Sequence, residues 1–378
     1  MASAEGHESS LPDGSCDRGG SAAAAADERA PADLPIDSPD TPVAELRASL
    51  RKFISRHSGG GNDGVALSRP VVVVTSGGTI VPLERRCVRY IDNFSAGTRG
   101  ALSAEEFLRA GYAVVFLHRS TSLRPFCAEL PGGACAGGVE LLRAARDAPP
   151  ELRGKMDAAL AEADAVHAEG TLLQVGYETL FEYLAYLAEI ASMLSVFRAQ
   201  VLFYLAAAVS DFYVPWSQLG EHKLQSDAGV PQLRLSRVPK LLGALVREWA
   251  PGCATVSFKL ETDQALLLDK AAGALARYGV HAVVANLLHT RKDEVYVVTA
   301  APAKGAGGTN AGGCAGAGVV PTGAPGGEGA GGEGSTPPPP RHVAEIRRPD
   351  GCQRIEAVLV PWIVRMHQEF RERSGDMP

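Results

Sequence analysis

The chain has 378 residues, 46% of them hydrophobic and 21% charged, with a formal net charge of −6. That balance argues against a protein built mainly to grip a nucleic-acid backbone, which needs clustered Lys and Arg, and leaves room for a local basic pocket. Its seven cysteines are odd in number and show no CxxC spacing, which argues against a disulfide framework or a structural zinc and makes a reducing cytosol the expected compartment.

Residues 1–41 carry an alanine run, scattered acids and no aromatic residue. They cannot bury enough apolar surface to offset an ordering cost of about 1–2 kcal/mol per residue, so they read as a disordered tail. This acidic start lacks the pattern of a signal or transit peptide, and the chain is expected to be cytoplasmic. Uninterrupted apolar runs such as 201–209 fall short of the roughly 18 residues needed to span a bilayer, so no membrane partner is expected.

Val43, Leu46, Leu50, Phe53 and Ile54 predict a docking helix over 42–57. The β-branched run 71–74 reads as a doubly buried parallel strand running into the loop Thr75, Ser76, Gly77, Gly78, Thr79. A helix starting near Arg99 or Gly100 and a strand over 113–117 complete a βαβ unit. Residues 120–153 dissolve into Pro, Gly and Ala and read as an irregular excursion. Then come a helix (156–167), a strand (172–175), a long helix (179–196) and a strand (201–207). Further elements are a short strand (233–236), a helix (240–249), a strand (254–259), a helix (262–278) and strands over 282–285 and 294–299.

This alternation predicts α/β architecture: a single Rossmann-like doubly wound, mostly parallel sheet with helices on both faces. Residues 301–341 form a low-complexity, disordered insertion, since 301–340 alone hold 14 of the 42 glycines. Beyond it, 354–360 reads as a strand and 362–373 as a helix, with Pro361 in the first helical turn. Residues 42–300 with 342–378 would thus make one domain, because loop-closure entropy grows only slowly with insertion length.

Ligands bind such sheets beyond the carboxyl ends of the strands. Four tips stand out: 75–79, 206–211, 258–263 and Asn286. Gly77 and Gly78 let backbone N–H groups approach an anion, or they form a tight turn with no ligand. Asn93 and Ser95, just before Gly97 and Gly100, either cap a helix or join its N-terminus in holding phosphate. Ala207 and Ala208 leave room at a strand tip, and Asp211 can accept from a hydroxyl or amide or cap a turn. Lys223, Lys240 and Lys259 are candidate phosphate partners or solvated surface lysines. There is no GxSxG or HExxH motif, and His118, His222, His281 and His289 are scattered, so triad or metal catalysis is not expected.

The segments TSGGTIVPLERRCVRYIDNFSAGTRGALSAEEFLRAGY (75–112), FYLAAAVSDFYVP (203–215), EHKLQS (221–226), VPKLL (238–242), VSFKLETD (256–263) and VVANLL (283–288) closely resemble the eukaryotic phosphopantothenate–cysteine ligase family. The resemblance implies a coenzyme A biosynthetic ligase joining 4′-phosphopantothenate to L-cysteine through an acyl-adenylate. By resemblance, Gly77, Ser95, Gly97, Gly100, Phe258 and Asn286 hold the nucleotide. Asn93, Ala207, Ala208 and Asp211 hold phosphopantothenate, with Arg89 reaching in from the second subunit of a homodimer. Asn93 also stabilises the acyl intermediate, and Lys223 the charge at the transferring phosphate. The implied co-substrate is ATP, with CTP the bacterial choice, and Mg2+ is expected with it. Bacterial members are usually fused to a flavin-dependent decarboxylase and carry more lysines near the position of Gln225, so the stand-alone form fits better. The competing reading is an NADP-dependent Rossmann-type oxidoreductase. Against it, the βαβ unit lacks GxGxxG and the strand ending at Leu117 is followed by His118 and Arg119 instead of an acid, although Arg119 suits a 2′-phosphate.

Overall fold

A computed structural model describes residue 41 and residues 43–58, 66–130, 138–225, 232–300 and 341–375. The expected tail, apart from Thr41, and the expected insertion, apart from Arg341, lie outside the described residues. The first half of the chain forms α1 (Val43–His57), β1 (Val71–Ser76), β2 (Ile80–Pro82), β3 (Tyr90–Asp92), α2 (Thr98–Arg109), β4 (Ala113–Arg119), α3 (Gly138–Arg146), α4 (Pro150–Glu169), β5 (Leu172–Tyr177) and α5 (Leu180–Leu194). The second half forms β6 (Val201–Leu205), β7 (Phe212–Tyr213), β8 (Ser236–Arg237), α6 (Leu241–Ala244), β9 (Ala254–Glu261), α7 (Gln264–Tyr278), β10 (Ala282–Leu287), β11 (Glu294–Ala300), β12 (Arg341–Arg347) and α8 (Glu356–Ser374).

Eight strands make one sheet in the order β12-β11-β10-β9-β6-β1-β4-β5. Neighbours from β10 to β5 are parallel, and β11 and β12 join antiparallel at one edge. Strand alternation sends Val71 and Val73 to one face, where they pack with Leu50 of α1 and Leu184 and Ile190 of α5. Val72 and Val74 face the other way, against Ala104 and Phe107 of α2 and Leu359 and Ile363 of α8. Burying each such side chain is worth about 1.5–3 kcal/mol. The doubly wound expectation is therefore met. From β1 the chain runs outward to β4 and β5, then returns past β1 to β6 and continues the other way. The order reverses between β1 and β6, which makes their carboxyl ends the crevice of the fold.

Several local expectations fail for physical reasons. Residues 354–360 are not a strand: Ile355, Leu359, Val360 and Ile363 recur at helical spacing and are all buried, so the helix starts at Glu356 and Pro361 falls inside it. The partner strand of β11 is instead β12, whose first residue, Arg341, pairs with Ala300. The excursion at 120–153 contains α3 and the start of α4, with Pro150 at the first helical position. The short strand lies at Ser236–Arg237, not 233–236. The helix at 240–249 divides into α6 and a π-helical turn, Leu245–Trp249.

The 21-residue segment Leu180–Gln200 is long and apolar enough to cross a membrane by length and composition. A search for uninterrupted apolar runs misses it because Glu182, Glu189 and Arg198 intervene. Its Leu184, Leu187, Ile190 and Leu194 are buried in the core beneath the sheet.

Candidate functional site

The tips of β1 and β6 are stitched together by backbone. Ala208 donates its N–H to Gly77 O at 2.8 Å, and Thr79 donates to Ala208 O at 3.2 Å. Side chains reinforce the seam: the N–H of Ala207 bonds Thr75 Oγ1 and that of Ser210 bonds Thr79 Oγ1, both at 3.1 Å. A third segment crosses above. Asn93 donates its N–H to Thr79 O at 3.1 Å, and the approach at Gly78 is so close that a Cβ there would stand 1.6 Å from Asn93 O. Gly97 has φ +76 and is the N-cap of α2, with no side chain capping the helix. Its first-turn N–H donors, a locus of partial positive charge, are left for a ligand. Neither Asn93 nor Ser95 caps the helix, which removes the capping reading. Ser95 Oγ accepts only a long 3.4 Å bond from Gly97 N–H.

Beyond these tips opens a cleft of about 1270 Å³. Of the residues expected at the site, Ser95, Gly97, Ala207, Ala208, Asp211, Phe258 and Asn286 line it. Asn286, at the end of β10, is only 6% exposed, and its side-chain amide has no partner among the described residues. Although the residue as a whole is buried, its amide is not among the occluded polar atoms and opens to the cleft, where water or a ligand can satisfy it. Phe258 packs edge-on against Tyr204, with ring centroids 4.9 Å apart.

Gly77 and Gly100 sit beneath the cleft and do not line it, Gly77 against Arg119 and Ser122, Gly100 against Ser76. Asn93 adjoins the lining residue Phe94, and its side-chain amide has no partner among the described residues. Arg89 and Lys223 stand away from the cleft of their own chain. Arg89 lies on the β2–β3 hairpin, flanked by exposed Val88 and Tyr90. Lys223 lies on an exposed stretch, 221–225, that pairs with that hairpin: the N–H groups of Arg85 and Arg86 bond Gly220 O and Glu221 O.

Charges around the cleft are mostly paired. Lys240 Nζ meets Asp211 Oδ1 at 2.7 Å. Lys259 and Lys270 share Glu261, whose carboxyl is held below its usual range by the Lys270 contact first, then by Lys259. Arg99, in the first turn of α2, pairs with buried Glu356 at 2.7 Å, and Arg354 pairs with buried Glu105 at 2.7 Å. Residues 353–356 thereby form a cleft wall contributed by the C-terminal segment, joined by Arg291 and Lys292 from the β10–β11 connection. Sequence reasoning missed this wall, since only the fold returns α8 to α2. Arg119, the residue that suited a 2′-phosphate, is committed to Asp92 at 2.6 Å and Glu178 at 3.6 Å. It does not line the cleft, which disfavours the oxidoreductase reading.

The sheet, its switch point and the cleft define an α/β protein with a ligand-sized crevice at the tips of β6, β9 and β10. In agreement, residues 153–301 match the family model of the DNA/pantothenate metabolism flavoprotein C-terminal domain. Phosphopantothenate–cysteine ligase 2 of Oryza sativa subsp. japonica is 47% identical over 255 residues, 67% of this chain and 78% of that one. Phosphopantothenate–cysteine ligase 1 of Arabidopsis thaliana is 48% identical over 252 residues, 66% and 78% of the two chains. Among solved structures, a Cab2 mutant in complex with phosphopantothenate-cysteine superposes with a TM-score of 0.69 at 33% identity, covering 89% of this chain and 96% of that one. The chain belongs to the phosphopantothenate–cysteine ligase family.

Proposed function

We propose that this protein joins 4′-phosphopantothenate to L-cysteine in coenzyme A biosynthesis, with ATP activating the carboxylate. In the first half-reaction the carboxylate attacks the α-phosphorus and pyrophosphate leaves, giving an acyl-adenylate. In the second, the cysteine amine attacks the acyl carbon, AMP leaves and an amide forms. Both steps build negative charge on oxygen, so fixed N–H donors and cations are what the site must supply. The observation that carries this reading is the unpartnered Asn286 amide opening into a cleft also lined by the uncapped start of α2. Ser95, Gly97, Phe258 and Asn286 are assigned to the nucleotide, and Ala207, Ala208 and Asp211 to phosphopantothenate. Asn93 is assigned to the acyl intermediate, with its free amide donating to the developing oxyanion.

Arg89 and Lys223, which lie off their own chain's cleft, fit a homodimer in which the hairpin serves the neighbouring site. The exposed apolar side chains of Val88, Tyr90 and Phe94 support such a contact. Magnesium is expected to be carried by the triphosphate, with no protein ligand assigned to it. No group of three or more His, Cys, Asp or Glu suited to a metal occurs among the described residues, and Asp211 and Glu356 are bound to Lys240 and Arg99. No step is assigned to it.

Purified protein should release pyrophosphate from ATP only when phosphopantothenate is present, and mass spectrometry of a cysteine-free reaction should detect the acyl-adenylate. Pyrophosphate release independent of phosphopantothenate would sink the reading. Adding CTP as a competitor to the same assay reports the nucleotide preference.

A further inference from the structure

Glu84, two residues beyond β2, has a fully occluded side chain and collects four donors from two distant segments. Its Oε2 accepts from the N–H groups of Val88 at 3.3 Å and Arg89 at 3.0 Å. Its Oε1 accepts from Arg89 Nη1 at 2.9 Å and from the N–H of Leu224, 140 positions along the chain, at 3.3 Å. A buried carboxylate left without such donors is strongly unfavourable, so this acid and its four partners stand or fall together. The backbone of Arg89 is fixed on its other side too, because Leu83 donates its N–H to Arg89 O at 3.0 Å. The Arg89 side chain nevertheless remains 43% exposed. Glu84 engages one guanidinium nitrogen, and the rest of a fork suited to a second anion stays available. Lys223, one residue before Leu224, is held in the same assembly.

From this geometry, and resting on the reading that Arg89 serves phosphopantothenate in a neighbouring site, we infer that Glu84 is a positioning residue that locks Arg89, together with the segment carrying Lys223, into one unit that aims the Arg89 guanidinium at the phosphate of phosphopantothenate. Neither cation lies on a rigid strand or helix. A shared buried acid gives both the fixed aim that a long exposed side chain lacks by itself. The acid touches no reacting atom in this arrangement and acts only through its two clients.

The test uses the full-length protein with Glu84→Gln, Arg89→Ala and the double variant. Pyrophosphate release is followed while phosphopantothenate and ATP are varied in turn, beside melting temperature and size-exclusion profile. Glu84→Gln should raise KM for phosphopantothenate by about 10-fold or more, as expected for losing hydrogen bonds to charged groups. KM for ATP should stay within about twofold, and the double variant should be close to the worse single one, as coupled neighbours require. A purely structural role would move both KM values and the melting temperature together. Normal KM for phosphopantothenate in Glu84→Gln alongside a raised value in Arg89→Ala overturns the inference, as do fully additive effects. An unaffected Arg89→Ala enzyme instead refutes the assignment of Arg89, and the inference with it. If Glu84→Gln shows no melting transition, Glu84→Asp decides. It keeps the charge but is one methylene too short for both clients, so an intermediate KM is expected and a wild-type KM overturns the inference.

Discussion

Replacing Gly78 by Ala is the sharpest perturbation of the cleft that leaves every polar group in place. The added methyl would stand 1.6 Å from Asn93 O, 2.8 Å from Asn93 C and 3.3 Å from Ser95 N. Ordinary van der Waals contact begins at 3.4 Å, so the Asn93 carbonyl must recede by about 3.4 − 1.6 = 1.8 Å. Both obstacles are backbone, and β1 behind Gly78 is fully buried, so the 93–95 segment has to give way. Overpacking of this kind costs about 1–3 kcal/mol, a loss of roughly 2–10 °C in melting temperature for a domain of this size. The functional loss should be larger. A displacement of about 1 Å at a reacting centre costs on the order of 100-fold, so kcat/KM for pyrophosphate release should fall at least that far. Gly154→Ala on α4, where an added methyl meets nothing within 4 Å, is the control and should be neutral or stabilising by up to about 1 kcal/mol. Wild-type turnover in Gly78→Ala would show that the crossing segment relaxes freely and that nothing depends on where Asn93 is held.

Two further outcomes follow from single side chains. Asn286→Ala should weaken nucleotide binding by about 10-fold in calorimetry while leaving the melting temperature unchanged or higher, because no protein partner is lost; unchanged affinity would remove Asn286 from the site. His367 bonds Tyr112 OH and Ala199 O, each at 2.8 Å, and burial lowers its pKa to about 4, as it also does for His281. A depressed folded-state pKa means that the unfolded chain takes up the proton first, so stability is full above about pH 6.5 and is lost as pH falls toward 4. From pH 7.5 to 5.5 each histidine contributes a loss of about 1.3 kcal/mol. Urea unfolding of His367→Gln should therefore show a drop smaller by about that amount than the wild type, and parallel pH profiles would contradict the burial argument.

Much of the architecture was legible in the chain. The run 71–74 has to be a central strand, since four β-branched residues in succession fit only a position covered on both faces, and each is buried. The strand tips announced themselves by glycine and small residues, and three of the four meet at one cleft. What stayed hidden depended on contacts far apart in sequence. Glu84 looks like any surface acid until Leu224 is brought beside it. The wall at 353–356 belongs to the site only because Arg99 and Glu356, 257 positions apart, form an ion pair. Val358, Leu359 and Val360 imitate a strand locally, and only burial at four-residue spacing from Ile355 shows the helix. Gly77 and Gly100 carry a constraint that only the fold reveals, since neighbouring atoms leave no room for a side chain at either position.

The pairing of β11 with β12 has a consequence for synthesis on the ribosome. Ala300 and Arg341 are register partners, yet the 40 residues numbered 301–340 must be translated between them. At roughly 5–20 residues per second that takes about 2–8 s. During that interval β11 is an uncovered sheet edge, and the surface later covered by Leu359 and Ile363 of α8 faces water. The nascent chain therefore passes through a state with an open β edge and an exposed apolar face, the kind of surface that chaperones bind and that aggregation recruits.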